Sequence, residues 1–259
     1  MSTEPGRVEI LALAGLPEVR LGDDLAAMIG DALEATAGAL PLEAGDVLVV
    51  TQKVVSKAEG AVVDLRTVEP RPEAVAWAAR WERDARAIEV VLREARRIVR
   101  MEHGVLITET PQGFVCANGG VDASNVGPAS GDLVTLLPVD PDASAARIRE
   151  ALRARLGTDV AVVISDSFGR PWRWGIVDVA LGVAGFRPLD DQRGRPDADG
   201  RMMHATIVAV ADEIASVAEL AAGKTSRRPV VLVRGVKLPE GDGSVRGDVV
   251  MPAEADLFP

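Results

Sequence analysis

The chain predicts an α+β fold, and three observations carry that prediction. Val47–Thr51, Val160–Ile164 and Pro229–Arg234 are short, β-branched apolar runs of the kind that form buried strands. Leu25 to about Ala39, Pro72–Arg97 and Thr206–Ala222 have helical spacing or helical composition. The two kinds of segment mix without the strict strand–helix–strand alternation of a doubly wound sheet. At 259 residues and 47% hydrophobic, the chain can bury a sizeable core. We read it as one domain over 1–259, with room for two subdomains and no internal repeat.

Taken in order, Val8–Leu13 reads as a strand ending at Gly15-Leu16-Pro17-Glu18-Val19. Asp23 and Asp24 can cap the helix that follows, where Leu25, Met28, Ile29 and Leu33 recur on one face. A Gly45-Asp46 turn enters the buried strand Val47–Thr51. The next stretch, Gln52 to Gly60, carries Lys53 and Lys57, which face either a ligand's phosphates or solvent. Pro72–Arg97 reads as one charged helical stretch with Trp77 and Trp81 on one face and most of its arginines solvated.

Val105–Thr110 and Phe114–Ala117 flank Pro111-Gln112-Gly113 and predict an antiparallel hairpin. The hairpin delivers Asn118 to Gly127, where Gly119 and Gly120 relax the backbone and Asp122 and Asn125 offer oxygen ligands; an Asx-rich turn is the alternative. Leu133–Leu137 is a strand, Pro138 to Pro141 a linker, and Ser144 the cap of a helix running to Leu156. Asp178–Gly185 is small and apolar enough for a tightly packed core segment. Asp190–Arg201 is a long polar loop.

Composition excludes several classes. A net charge of -10 argues against a sequence-independent nucleic-acid surface. No run is apolar for membrane-spanning length and no signal peptide is recognised, so the expectation is a cytoplasmic protein that does not meet a membrane. The single cysteine, Cys116, rules out an internal disulfide and reads as a buried, inert thiol. With two histidines in the chain, any metal site is expected to be oxygen-rich and to suit magnesium or manganese.

The densest chemistry follows the strand Val160–Ile164, in Ser165-Asp166-Ser167-Phe168-Gly169-Arg170-Pro171-Trp172-Arg173-Trp174-Gly175. A carboxylate at the end of a rigid strand, carried into a loop with a hydroxyl, two arginines and two tryptophans, suits a phosphorylated, planar substrate; a polar loop that merely caps the strand is the alternative. Trp172 and Trp174 are read first as core, with stacking on the substrate as the alternative. Gly223-Lys224-Thr225 mimics the end of a phosphate loop. Ala218 stands where that motif needs glycine, and a helix precedes where a strand is required. No dinucleotide fingerprint opens a helix, and Ser165 lacks a nucleophile-elbow context.

Together these stretches resemble one family, the F420 γ-glutamyl ligases (coenzyme F420-0:L-glutamate ligases). The resemblance rests on Gly-Leu-Pro at 15–17, Ser-Lys-Ala-Glu-Gly at 56–60 and the run from Gly113 to Val126. It continues with Ser-Asp-Ser-Phe-Gly-Arg-Pro-Trp-Arg at 165–173, Asp-Val-Ala-Leu-Gly-Val-Ala-Gly at 178–185 and Arg-Gly-Val at 234–236. It spans nearly the whole chain in order.

The resemblance implies an unusual mixed-sheet α+β fold in an intertwined homodimer. It also implies a GTP-dependent ligase that joins L-glutamate to F420-0 and then adds a γ-linked glutamate to F420-1, through an acyl phosphate, releasing GDP and phosphate. Magnesium or manganese, two per site, would serve as cofactor, with potassium as a further candidate. Asp122, Asp166 and the Ser167 hydroxyl would ligate metal, and Asp122, Asp166 and Arg170 would be catalytic. Leu16, Pro17, Glu18, Val19, Gln52, Lys57 and Asn125 would bind nucleotide, with Gly223, Lys224 and Thr225 on a segment closing over it.

Three departures stand out: Ser167 where threonine is usual, Gly119-Gly120 for Ala-Gly, and Lys224 where some relatives have glutamine. A lysine ammonium cannot ligate a cation, which leaves its carbonyl or a phosphate-binding role. The 259 residues leave no room for the flavin-reductase domain fused in some members. The competing readings are a metal-dependent phosphohydrolase, a ligase acting on another carboxylated cofactor, and a non-catalytic nucleotide-binding relative.

Overall fold

The structure, a computed structural model, describes residues 6–36, 41–123 and 132–256. Its elements in chain order are β1 (Glu9–Ala12), α1 (Leu25–Ala35), β2 (Val47–Thr51), α2 (Gln52–Glu59) and β3 (Val62–Asp64). There follow α3 (Pro72–Trp81), α4 (Ala85–Glu94), β4 (Arg97–Glu102), β5 (Val105–Glu109), β6 (Val115–Ala117) and β7 (Leu133–Thr135). The rest comprises α5 (Pro141–Leu156), β8 (Ala161–Arg170), β9 (Arg173–Ala184), β10 (Asp190–Asp191), β11 (Ile207–Val208), α6 (Val210–Ala222) and β12 (Val230–Arg234).

The main sheet has the order β1-β12-β2-β8-β9 and is mixed, as the α+β reading expected. β2 and β8 run parallel while the other neighbours are antiparallel. The central strands are the β-branched runs seen in the sequence; Val47, Val50, Val163 and Ile164 are fully buried. Ile29, Leu152 and Ile214 from α1, α5 and α6 complete this core. Truncating a residue such as Ile164 to alanine would cost about 2–5 kcal/mol. A separate apolar cluster around Trp77, Ile88 and Leu106 ties α3 and α4 to the three-stranded β4-β5-β6 sheet.

Four local expectations are corrected. The Pro72–Arg97 helix is two helices: Glu82 adopts a left-handed φ of 51° and the Asp84 carboxylate accepts from the Arg86 amide to start α4. Such an Asx cap competes with helix continuation. Arg97 opens β4, an exposed strand with no apolar alternation to announce it. The cap of α5 is Asp140, which accepts from the Ala143 amide, with Pro141 at the first helical position. Ser144 lies inside the helix and donates to Glu59.

The fourth correction concerns the chemically dense stretch. It is not a loop: β8 continues through Ser165–Arg170, reverses at Pro171-Trp172 and returns as β9. Trp172 takes a φ of 56°, the left-handed turn that lets the two strands stay paired. Trp172 and Trp174, expected in the core, are 81% and 100% exposed at the tip.

Candidate active site

The site forms where β2 and β8 run side by side. Thr51 ends β2 opposite Ser165, and α2 begins at the next residue, which brings Lys53 near enough to Asp166 to lower its pKa. The Gln52 amide donates to Leu136 O at 2.7 Å and to Ser56 at 2.8 Å, so its donors are spent inside the fold. This fastens α2 to the segment carrying Thr135, whose backbone exchanges two hydrogen bonds with Asp122. Asp122, distant in sequence, thereby comes within reach of α2. Lys53 and Asp122 pair at 2.7 Å.

The approach to Asp122 needs glycine. Asn118, Gly119 and Gly120 are all left-handed, and a Cβ on Gly120 would lie 2.5 Å from Leu137. Gly119 therefore meets a conformational demand rather than supplying flexibility. A Cβ there would sit 3.1 Å from the Thr108 hydroxyl.

The Asp166 environment is electrostatically unbalanced. Phe168, two residues on and on the same strand face, meets Phe114 edge to face at 6.2 Å. This packing seats the β5–β6 hairpin against β8. Desolvation, opposed by the Ser167 amide and Lys53 and reinforced by Asp122 and Asp178, raises the Asp166 pKa to about 6. Cys116, in the same neighbourhood, is pushed up to about 12 by burial and is the inert thiol expected.

Alternation along β8 separates Asp166 from Ser167. The Ser167 hydroxyl donates to Asp178 at 2.5 Å and accepts from Lys224, while Ser165 also reaches Asp178 at 3.3 Å. Adjacent residues of a strand point to opposite faces, so the Ser167 hydroxyl and the Asp166 carboxylate do not converge on one point. Asp178 was read only as part of a core segment. Its signal was a lone acid, Val177-Asp178-Val179, in an apolar run, which burial forbids without partners. Glu219, from the last turn of α6, lies 3.2 Å from Lys224 and was also missed.

The proposed nucleotide segments are assembled in part. Glu18 meets Lys57 at 2.6 Å and Gly22 N–H donates to Ala58 O, which ties the Leu16–Val19 segment to α2. Leu16 packs partly buried on the main core and Val19 is buried within it, so that segment offers ligands through Pro17, Glu18 and its backbone. Gly223, with φ 63°, ends α6 and turns Lys224 and Thr225 toward β12, confirming that helix precedes and strand follows. Arg170 lies four residues beyond Asp166, about 13 Å along the strand. Its guanidinium donates to Trp174 O, so the structure does not bring it to the carboxylates. Asn125 lies outside the described residues.

The donor set fits a hard cation. Asp122 and Asp166 are oxygen ligands, and the raised Asp166 pKa marks a position where added positive charge would be stabilised. Among the described residues no group of three or more histidine, cysteine, aspartate or glutamate side chains is arranged to hold a metal. A cation here would therefore keep waters or substrate oxygens in its shell, as magnesium does. Two shallow clefts of about 240 and 310 Å³ lie elsewhere, beside α1 and α5, and neither is lined by these carboxylates. No helix among the described residues is long and apolar enough to cross a membrane.

Comparison with known proteins joins these elements. The sequence model of the F420-0:gamma-glutamyl ligase family matches residues 15–235. The coenzyme F420:L-glutamate ligase of Methanothermobacter thermautotrophicus is 42% identical over 97% of this chain and 98% of its own length. The protein of the same name from Methanopyrus kandleri is 48% identical over 93% of each chain. That from Methanocaldococcus jannaschii is 39% identical over 100% of this chain and 99% of its own. The match is continuous through every segment that carries Asp122, Asp166 and Lys224, and on that basis the chain belongs to the F420-0:gamma-glutamyl ligase family and is a ligase enzyme.

Proposed function

We propose that this protein is a coenzyme F420-0:L-glutamate ligase that consumes GTP, forms an acyl phosphate on the F420-0 carboxylate and releases GDP and phosphate as L-glutamate attacks. A further γ-linked glutamate on F420-1 follows from the same chemistry. The observation that carries the proposal is the Asp122–Asp166 carboxylate pair, brought together from two distant segments within the matched region.

A carboxylate is a poor electrophile, so amide formation needs a leaving group, and phosphoryl transfer supplies one. Asp122 and Asp166 would hold magnesium or manganese. When bound, the cation supplies charge neutralisation on the transferring phosphoryl group. The protein's own groups do the positioning. Lys53 places an ammonium beside the carboxylates, where it can meet phosphate oxygens. Glu18 and Lys57 fix the Leu16–Val19 segment against α2, and Gln52 holds α2 to the Asp122 segment, so both act on nucleotide through backbone placement. Phe114 and Phe168 exclude water from one side of Asp166. The distance of Arg170 from the carboxylates favours a role in binding substrate over a catalytic one.

The hairpin tip supports a homodimer. Trp172, Trp174 and Ile176 are all more than half exposed beyond the edge of the main sheet, an apolar surface that a second copy would cover.

The test is to incubate the purified chain with F420-0, L-glutamate, GTP and manganese and to follow products by mass spectrometry. Glutamylated F420 with stoichiometric GDP is expected. Phosphate release that is independent of glutamate, with F420-0 unchanged, would replace the ligase reading with a phosphohydrolase.

A further inference from the structure

Beyond the carboxylate pair, a second polar centre sits on the other face of β8. Gly223 ends α6 with its amide donating to Glu219 O, and this turn sends the Lys224 side chain back over the last turn of the helix. The ammonium donates to the Ser167 hydroxyl and lies 3.4 Å from Asp178 Oδ1 and 3.2 Å from Glu219 Oε1. The Asp178 side chain is 6% exposed, and its carboxylate also accepts from the hydroxyls of Ser165 and Ser167. An ammonium is thus held by two carboxylates and a hydroxyl from three elements, β8, β9 and α6. Oxygens so arranged are the donors a hard metal ion would use.

The two faces of the strand have the same charge balance. One carries Asp122, Asp166 and Lys53, the other Asp178, Glu219 and Lys224. Lys53 forms an ion pair with Asp122, whereas Lys224 reaches oxygens of Ser167, Asp178 and Glu219 together. The Ser167 hydroxyl donates to Asp178 and accepts from the ammonium, so a second cation drawn to its remaining lone pair would lie against the Lys224 charge.

We propose that Lys224 is a built-in cation: its ammonium fills the Ser167–Asp178–Glu219 oxygen cluster, so divalent metal binds this chain on the Asp122–Asp166 side alone. Lys224 then acts as a positioning residue, since it fixes Ser167 and the β8–β9 pairing behind Asp166 and touches neither substrate nor metal. The proposal rests on the metal reading of Asp122 and Asp166 for the first ion and is independent of it for the second.

The test counts manganese bound to the full chain, by electron paramagnetic resonance titration of free Mn²⁺, without substrates or turnover. Lys224→Met removes the ammonium and adds no oxygen ligand, and it should bind one more Mn²⁺ per chain than the wild type. Lys224→Arg keeps a cation and should show no gain. Asp178→Asn combined with Lys224→Met should abolish the gain. Equal counts for the wild type and Lys224→Met overturn the proposal, as does a gain that survives Asp178→Asn. Should Lys224→Met fail to fold, Lys224→Leu, which likewise adds no oxygen ligand, replaces it under the same criteria. A wild type that binds no manganese refutes the metal role of Asp122 and Asp166, while the gain on removing Lys224 still decides the inference.

Discussion

Two desolvated carboxylates in this protein have opposite fates. Glu89, on α4, is 3% exposed and is gripped by Arg71 through two side-chain bonds of 2.9 Å and by Arg93 at 2.7 Å. The Arg71 guanidinium and amide, with Arg93, hold its pKa down to about 2. Asp166 has one nearby ammonium, itself paired with Asp122, and further carboxylates at hand, and desolvation raises it to about 6. Glu89 is a finished ion cluster whose charge is fully compensated by the chain. The site around Asp166 is short of positive charge, a deficit that the proposed cation would fill.

The largest effect that tests this contrast is on turnover. Asp166→Asn should lower glutamate ligation roughly 1000-fold, the scale of the several kcal/mol that a bound cation contributes. Activity within tenfold of the wild type would remove Asp166 from the site. The metal-free Asp166→Asn protein should nevertheless be more stable, by roughly 1–3 kcal/mol, because a neutral amide avoids the burial cost that the raised pKa reports. Denaturant unfolding with a chelator present measures this.

Glu89→Gln should do the reverse. Turnover stays unchanged and stability falls by about 1–2 kcal/mol; Arg71 and Arg93 are about half exposed, so both return to water cheaply. A loss of activity without a loss of stability would mean that the Glu89 cluster is not purely structural.

The two carboxylates also predict opposite pH dependences. Glu89 is depressed in the folded state, so its contribution is present above the unfolded value of about 4.3 and is lost as pH falls toward 2. Asp166 is raised, so the folded state keeps a proton that the unfolded chain has released. Metal-free stability from this group therefore declines as pH rises from about 3.9 through 6. The melting-temperature gap between Asp166→Asn and wild type should widen across that window and then level off. A gap independent of pH would show that Asp166 is not desolvated.

The smallest effect concerns Lys53. Its pair with Asp122 keeps 25% and 37% exposure, so Lys53→Met should cost under about 1 kcal/mol of stability. A loss exceeding that of Glu89→Gln would make Lys53 a structural residue like Arg71.

Some of this was written in local sequence. The strands Val47–Thr51 and Val230–Arg234 and the β5–β6 hairpin were legible, because apolar runs and turn residues act over a few positions. The helix break at Glu82 and the hidden strand β4 were not, since one depends on a competing cap and the other lacks an apolar period. Composition also misled at the hairpin: glycine, proline and charge from Ser165 to Gly175 read as a loop, and two tryptophans read as core. Pairing with β9 made a strand of the first and left the second exposed at its tip.

By itself, then, the sequence determined the α+β class and, through ordered motifs along the chain, the ligase family. Only the tertiary structure decided which groups share a face. It joined Asp122 to Lys53 and Asp166, and it sent Ser167 to Asp178 and Lys224. The reason is geometric: neighbours in sequence are held on opposite faces of a strand, while a parallel pair such as β2 and β8 brings together residues more than a hundred positions apart.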